Sequence, residues 1–155
     1  MRFLPPRSSL FSAAFVIVAI SGAALVWNGP AASPWSSAGG VVDEYRSEAS
    51  HLQLAPGWHW PKELPFDAGT PEAPMHYQKG FGRGEADYRW LCSWTTRAVL
   101  KTLSPKARRE ALEQLATKMH DPAFMEDFPK FAVAKALRGE TTELRDYVSN
   151  NCRTP

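Results

Sequence analysis

Eighteen consecutive residues, 10–27 (LFSAAFVIVAISGAALVW), carry no charge. Wound into an α-helix at about 1.5 Å per residue they span roughly 27 Å, close to the hydrocarbon thickness of a bilayer. Arg2 and Arg7 precede this run, and the next charged residue after it is Asp43. The basic flank is expected to stay in the cytoplasm, residues 1–9, with everything after the span outside. Trp27 suits the outer interface, and Arg7 can snorkel at the inner one. The expected reading is an uncleaved signal-anchor in contact with membrane lipid. The alternative is a signal peptide that is cut, since Ser21-Gly22-Ala23 and Gly29-Pro30-Ala31 both offer small residues, and the product is then secreted. Either way residues 28–155 lie beyond the membrane.

Beyond the span the pattern changes character near residue 86. Residues 28–86 hold seven of the thirteen prolines and eight of the ten glycines, whereas residues 87–152 hold three prolines and one glycine. The first part therefore reads as linker and irregular chain, the second as helices. Residues 28–40 read as a flexible tether. Residues 41–86 read as an irregular segment, with a short helix at 42–50. Its prolines are too frequent for a longer helix or a central strand. It is nevertheless rich in large apolar side chains, namely Trp58, Trp60, Phe66, Met75, Tyr77 and Phe81. A disordered linker lacks such residues, so an ordered wrap laid over the helical part is expected.

Four short helices are predicted in residues 87–155. The first runs over 87–103, with one stripe through Tyr88, Leu91, Cys92, Thr95 and Val99 and a second through Trp90, Trp94 and Ala98. So wide an apolar arc predicts a central helix. Ser104-Pro105 is an N-cap hydroxyl followed by proline at the first helical position, and starts a helix to about residue 119. Its apolar face is Ala107, Ala111, Leu112, Leu115, Ala116 and Met119, and Arg108, Arg109, Glu110, Glu113 and Gln114 take the other. Asp121-Pro122 starts a single turn over 122–127. Pro129 opens the third helix, over 129–138, with Gly139 as its C′ residue. Thr141 is expected to cap the last, over 142–148. The fold class is thus mainly α: one transmembrane helix, then a small exported bundle with a Pro/Gly/aromatic-rich wrap.

The two cysteines, Cys92 and Cys152, both lie in the exported part. An even pair in an oxidising compartment predicts a disulfide, closing a loop whose constraint contributes roughly 3–4 kcal/mol. The chain has 18 Lys+Arg and 16 Asp+Glu. Without Arg2 and Arg7 the exported part is balanced, which argues against a nucleic-acid partner.

Motifs with definite chemistry do not stand out. Gly80-Phe81-Gly82-Arg83-Gly84 lacks the spacing of a dinucleotide fingerprint and the Lys-Ser/Thr of a phosphate loop, and reads as a flexible lead-in to the first helix. The four histidines, His51, His59, His76 and His120, show no metal-ligand spacing, and no nucleophile motif occurs, so no metal, cofactor or catalytic residue is assigned. Trp58, His59, Trp60 and His76 are the candidate contacts for a ligand or partner. Pro61 biases Trp60 away from helix, and two nearby indoles either cap the core or offer a binding surface. The function expected is a non-enzymatic, membrane-anchored interaction module facing an envelope or membrane-protein partner. The alternative is a small hydrolase, or an inhibitor of one, with a cleft in which His59, Asp67, His76 and Glu85 converge.

Overall fold

The computed structural model describes residues 33–64, 66–118, 121 and 129–152. The predicted span at 10–27 and the predicted turn of helix at 122–127 lie outside them. The described part is mainly α, with five helices and one two-stranded ribbon. In chain order these are β1 (Trp35–Ser37), α1 (Ala38–Ala49), β2 (His76–Gln78), α2 (Phe81–Val99), α3 (Pro105–Thr117), α4 (Lys130–Leu137) and α5 (Thr142–Asn151). No helix among the described residues is long and apolar enough to cross a membrane.

Ordered structure begins earlier than composition suggests. Residues 35–40, read as tether, form β1 and the first turn of α1. Ser37 starts that helix, its hydroxyl accepting from the Gly40 amide at 3.2 Å. β1 pairs antiparallel with β2, setting Trp35 opposite Gln78 and Ser37 opposite His76. A ribbon closed across forty residues leaves no local signature in the sequence, because its hydrogen bonds come from elsewhere in the chain.

α2 is the central helix, packing against α1, α3 and α5. It starts at Phe81 rather than at residue 87, so the glycine-rich lead-in is its first turn. Gly80 precedes it at φ +88°, backbone that favours glycine. Its two ends are held by charges from neighbouring helices. At the N-terminus the Glu44 carboxylate of α1 accepts from the amides of Gly80 at 2.9 Å and Gly82 at 3.2 Å, and from the Ser36 hydroxyl at 3.0 Å. At the C-terminus Arg108 of α3 donates to the carbonyls of Ala98 at 3.0 Å and Leu100 at 2.9 Å. Anion at the positive end and cation at the negative end both oppose the helix dipole and satisfy groups that the helix itself leaves unpaired. Arg108 thus corrects the assignment of its whole face to solvent.

The shorter helices follow their local signals closely. Ser104 accepts from the Ala107 amide at 3.3 Å, with Pro105 at the start of α3. Gly139, at φ +99°, ends α4 in a Schellman motif: Glu140 N–H bonds to the Lys135 carbonyl and Gly139 N–H to that of Ala136. Thr141 makes no side-chain cap bond, which corrects its expected role, and α5 runs on to Asn151. Cys92 and Cys152 form the predicted disulfide, with Cα atoms 5.3 Å apart, fastening the end of α5 to α2.

The core lies among α2, α3, α4 and α5 with the start of the wrap across it. Leu91, Leu115, Val133 and Leu144 are fully buried there, joined by Leu52, Leu54 and Ala55. Two side chains of α2 dock the wrap. The buried Ser93 hydroxyl accepts from the Ala55 amide at 3.1 Å, and the Trp94 indole donates to the Gln53 carbonyl at 2.9 Å. Buried backbone groups in a segment with no helix or strand of its own thereby find partners.

One buried group is mismatched with its surroundings. Asp87, on the α1 side of α2, is 3% exposed, and its Oδ1 has no hydrogen-bond partner among the described residues. Burial, reinforced by the Glu48 carboxylate, pushes its pKa up to about 7; Lys118 and Arg83 pull the other way and Asp121 adds to the rise. Between about pH 4 and about pH 7 the native chain holds a proton that the unfolded chain has lost, so this group's contribution makes stability fall as pH rises through that window. Asp87→Asn removes the titration. It is expected to match the parent near pH 4 and to exceed its stability by on the order of 2–4 kcal/mol near pH 8. Urea unfolding of both proteins at the two pH values measures the difference, and parallel pH dependence would refute the assignment.

Candidate functional site

The wrap does not lie flat on the helices. Between it and α1, α2 and the end of α5 is an open cleft of about 850 Å³, within the range of small-ligand sites, roughly 300–1,000 Å³. Its floor is one face of α2: Glu85, Tyr88, Arg89 and Cys92 recur at i, i+3, i+4 and i+7 and all line it. α1 contributes Tyr45, and the wrap contributes Trp58, Glu63, Leu64 and Phe66. The α5 end is pinned here twice, by the disulfide and by the Tyr88 hydroxyl donating to the Asn151 carbonyl.

Arg89 organises the rim. Its Nε and Nη2 donate to the His59 carbonyl at 3.1 and 2.8 Å, and the guanidinium carbon stands 5.8 Å from the Trp58 ring centroid. The Trp58 amide in turn donates to the Ala55 carbonyl at 3.0 Å. A planar cation that spends two donors on one carbonyl while facing an indole fixes the orientation of the tight bend carrying Trp58.

Tyr45 is the wall. It is 5% exposed, its ring packs edge-on against Trp60 with centroids 5.7 Å apart, and against Phe66 at 6.2 Å. Phe66 passes the contact on to Tyr77 and Phe81, so one aromatic series ties α1, the wrap, β2 and the start of α2. The Tyr45 hydroxyl has no hydrogen-bond partner among the described residues. Burial raises its pKa above the ordinary phenol value, with the Arg89 cation opposing and the Glu85 carboxylate adding to the rise. A buried hydroxyl without a partner is unfavourable, and native structures rarely leave one without a reason.

Of the four residues singled out from sequence, Trp58, His59 and Trp60 line one shallow depression, and His76 lies elsewhere on β2. Trp58 lines the cleft and also packs against the core. Trp60 packs against the core and Tyr45 and is not among the cleft lining. His59 is exposed and lines that depression with Trp58, Trp60 and His51 but is not among the cleft lining. His76 is exposed on β2. Of His59, Asp67, His76 and Glu85, Glu85 alone is among the cleft lining; Asp67 closes a local turn by accepting from the Gly69 amide at 2.8 Å. No group of three His, Cys, Asp or Glu among the described residues is placed to hold a metal ion.

Sequence reasoning missed Tyr45, Glu63, Leu64, Tyr88 and Arg89 as cleft residues. The helix predicted over 87–103 left Glu85 outside it, and Tyr88 and Cys92 were placed with Leu91 on an apolar stripe, so Glu85, Tyr88, Arg89 and Cys92 share a face only once α2 is seen to start at Phe81. The chain matches no protein-family model, no curated protein and no solved structure.

Proposed function

We propose that this protein is an extracytoplasmic interaction module, tethered to the membrane by residues 10–27 with its N-terminus in the cytoplasm, that receives part of an envelope or membrane-protein partner in the cleft over α2. The observation that carries the reading is the cleft itself: a recess of binding-site size, lined by aromatic rings and charged groups. The Cys92–Cys152 disulfide supports placement in an oxidising compartment.

Site-specific photocrosslinking in intact membranes tests it. A benzophenone side chain at position 64, beside the cleft, is expected to give one discrete adduct. The same group at position 114, on the exposed face of α3, is expected to give none. Equal adducts at both positions, or none at 64, would sink the proposal. The orientation is checked separately with an epitope after Pro155, which external protease should remove from cells with the outer face exposed.

A further inference from the structure

We infer that the β1–β2 ribbon rests on the outer surface of the bilayer, with the Trp35 indole among the lipid headgroups; this rests on reading residues 10–27 as an uncleaved anchor. Five large apolar side chains are exposed among the described residues. Trp35, 57% exposed, is in β1, and Met75 and Phe81 flank β2 in sequence. Leu100 and Phe131 lie elsewhere, after α2 and on α4. Apolar side chains exposed singly are ordinary, but three gathered on one ribbon and its flanks mark an interaction surface.

The register sets Trp35 opposite Gln78 and Ser37 opposite His76, so these four share one ribbon face and all are exposed, while Ser36 and Tyr77 turn the other way and are half-buried. That face carries no carboxylate. Lys79 adjoins it, its amide donating to the Pro34 carbonyl at 2.9 Å, and its ammonium makes no ion pair among the described residues. An exposed indole among neutral side chains, with a free cation beside it, suits the membrane–water interface: the ring sits at headgroup level and the lysine reaches phosphate. The strand edge at Trp35 is also closed. The Ser33 hydroxyl accepts from the Trp35 amide at 3.2 Å and donates to the Trp35 carbonyl at 3.4 Å. Backbone groups paired in this way tolerate a region poor in water, and they leave no open edge at Trp35 for a partner strand.

The covalent chain favours the bilayer over a protein as occupant. Trp27, at the end of the apolar run, and Trp35 are eight residues apart, a reach of at most about 28 Å at full extension. So short a connection keeps β1 within reach of the membrane, at an effective concentration on the order of millimolar. A weak preference of one indole for the interface is then enough to hold the ribbon there, whereas a soluble partner must displace a surface already present.

Photocrosslinking on the full chain, reconstituted in nanodiscs of equal parts phosphatidylcholine and phosphatidylglycerol, tests the inference. A benzophenone side chain at position 78, opposite Trp35, is expected to give an adduct with the mass of one phospholipid. One at position 18, inside the span, is expected to do the same, and one at position 114, on α3, is expected to give none. Trp35→Ser should lower the yield at position 78 severalfold, leave that at position 18 unchanged, and keep the melting temperature, as exposed substitutions do. A lipid adduct at 18 but not at 78, equal yields at 78 and 114, or no effect of Trp35→Ser overturns the inference and leaves the anchor in place. Lipid adducts at neither 18 nor 78 remove both. A Trp35-dependent lipid adduct at 78 without one at 18 removes the anchor and leaves the ribbon as a membrane-binding surface in its own right. In native membranes, a discrete protein adduct from position 78 in place of lipid assigns the ribbon to a protein partner and overturns the inference.

Discussion

Gly82→Ala is expected to destabilise the domain by about 3 kcal/mol or more, at the upper end of what inserting a single carbon into a packed interior costs. Gly82 is buried in the first turn of α2, where α1 crosses closest. A Cβ there would stand 2.1 Å from the Val41 carbonyl oxygen and 2.9 Å from both the Tyr45 amide nitrogen and Glu44 Cβ. Two of those three atoms are backbone, so no side-chain rotation relieves the clash, and α1 must move off α2. Displacing α1 also draws Glu44 from the amides it caps and shifts Tyr45 from the cleft wall. Gly84, two residues on in the same helix, has nothing within 4 Å of its hypothetical Cβ. Gly84→Ala should therefore stabilise by a few tenths to about 1 kcal/mol, the helical preference of alanine over glycine. Thermal unfolding of both variants by circular dichroism gives the comparison. Similar melting temperatures would mean that the two helices do not meet at Gly82.

Leu112→Asp is expected to cost about 4 kcal/mol or more, through a carboxylate placed in the core without a partner. Leu112 is 3% exposed on α3, in the cluster with Trp90, Leu115 and Val133. Its neighbour Glu113 faces solvent, 3.9 Å from Arg109 in a pair whose two side chains are both more than half exposed. Glu113→Ala should stay within about 0.5 kcal/mol, as exposed ion pairs contribute little. Urea unfolding separates the two. An equal loss from both would place the α3 core face elsewhere.

These two predictions differ in where they can be read. The burial of Leu112 is written in α3 itself, because a 3.6-residue period of apolar positions has one economical solution, with the stripe turned inward. The same local logic located the Ser104-Pro105 start, the Gly139 stop and the helical character of the described residues between 87 and 152. Redox chemistry and an even cysteine count likewise determined the Cys92–Cys152 pairing, since there was only one way to join two thiols.

What tertiary structure alone decided are contacts between segments distant in sequence. Gly82 looked like part of a flexible glycine-rich stretch. It is a buried helical position where the close α1 backbone leaves no room for a side chain, and a local composition count contains no information about α1. Residues 35–40 looked like tether because the hydrogen bonds that order them come from β2, forty residues on. Arg108 looked like an ordinary charged position on an amphipathic helix, and its use, with Glu44, as a cap on an end of α2 depends on how three helices are set together. The cleft follows the same rule. Glu85, Tyr88, Arg89 and Cys92 share a face by helical spacing alone, but that face becomes a floor only when Trp58, Pro61, Glu63, Leu64 and Phe66 stand beside it and Arg89 fastens the bend. Sequence determines which side chains an element presents together. Long-range packing determines what stands opposite them, and a binding surface consists of both.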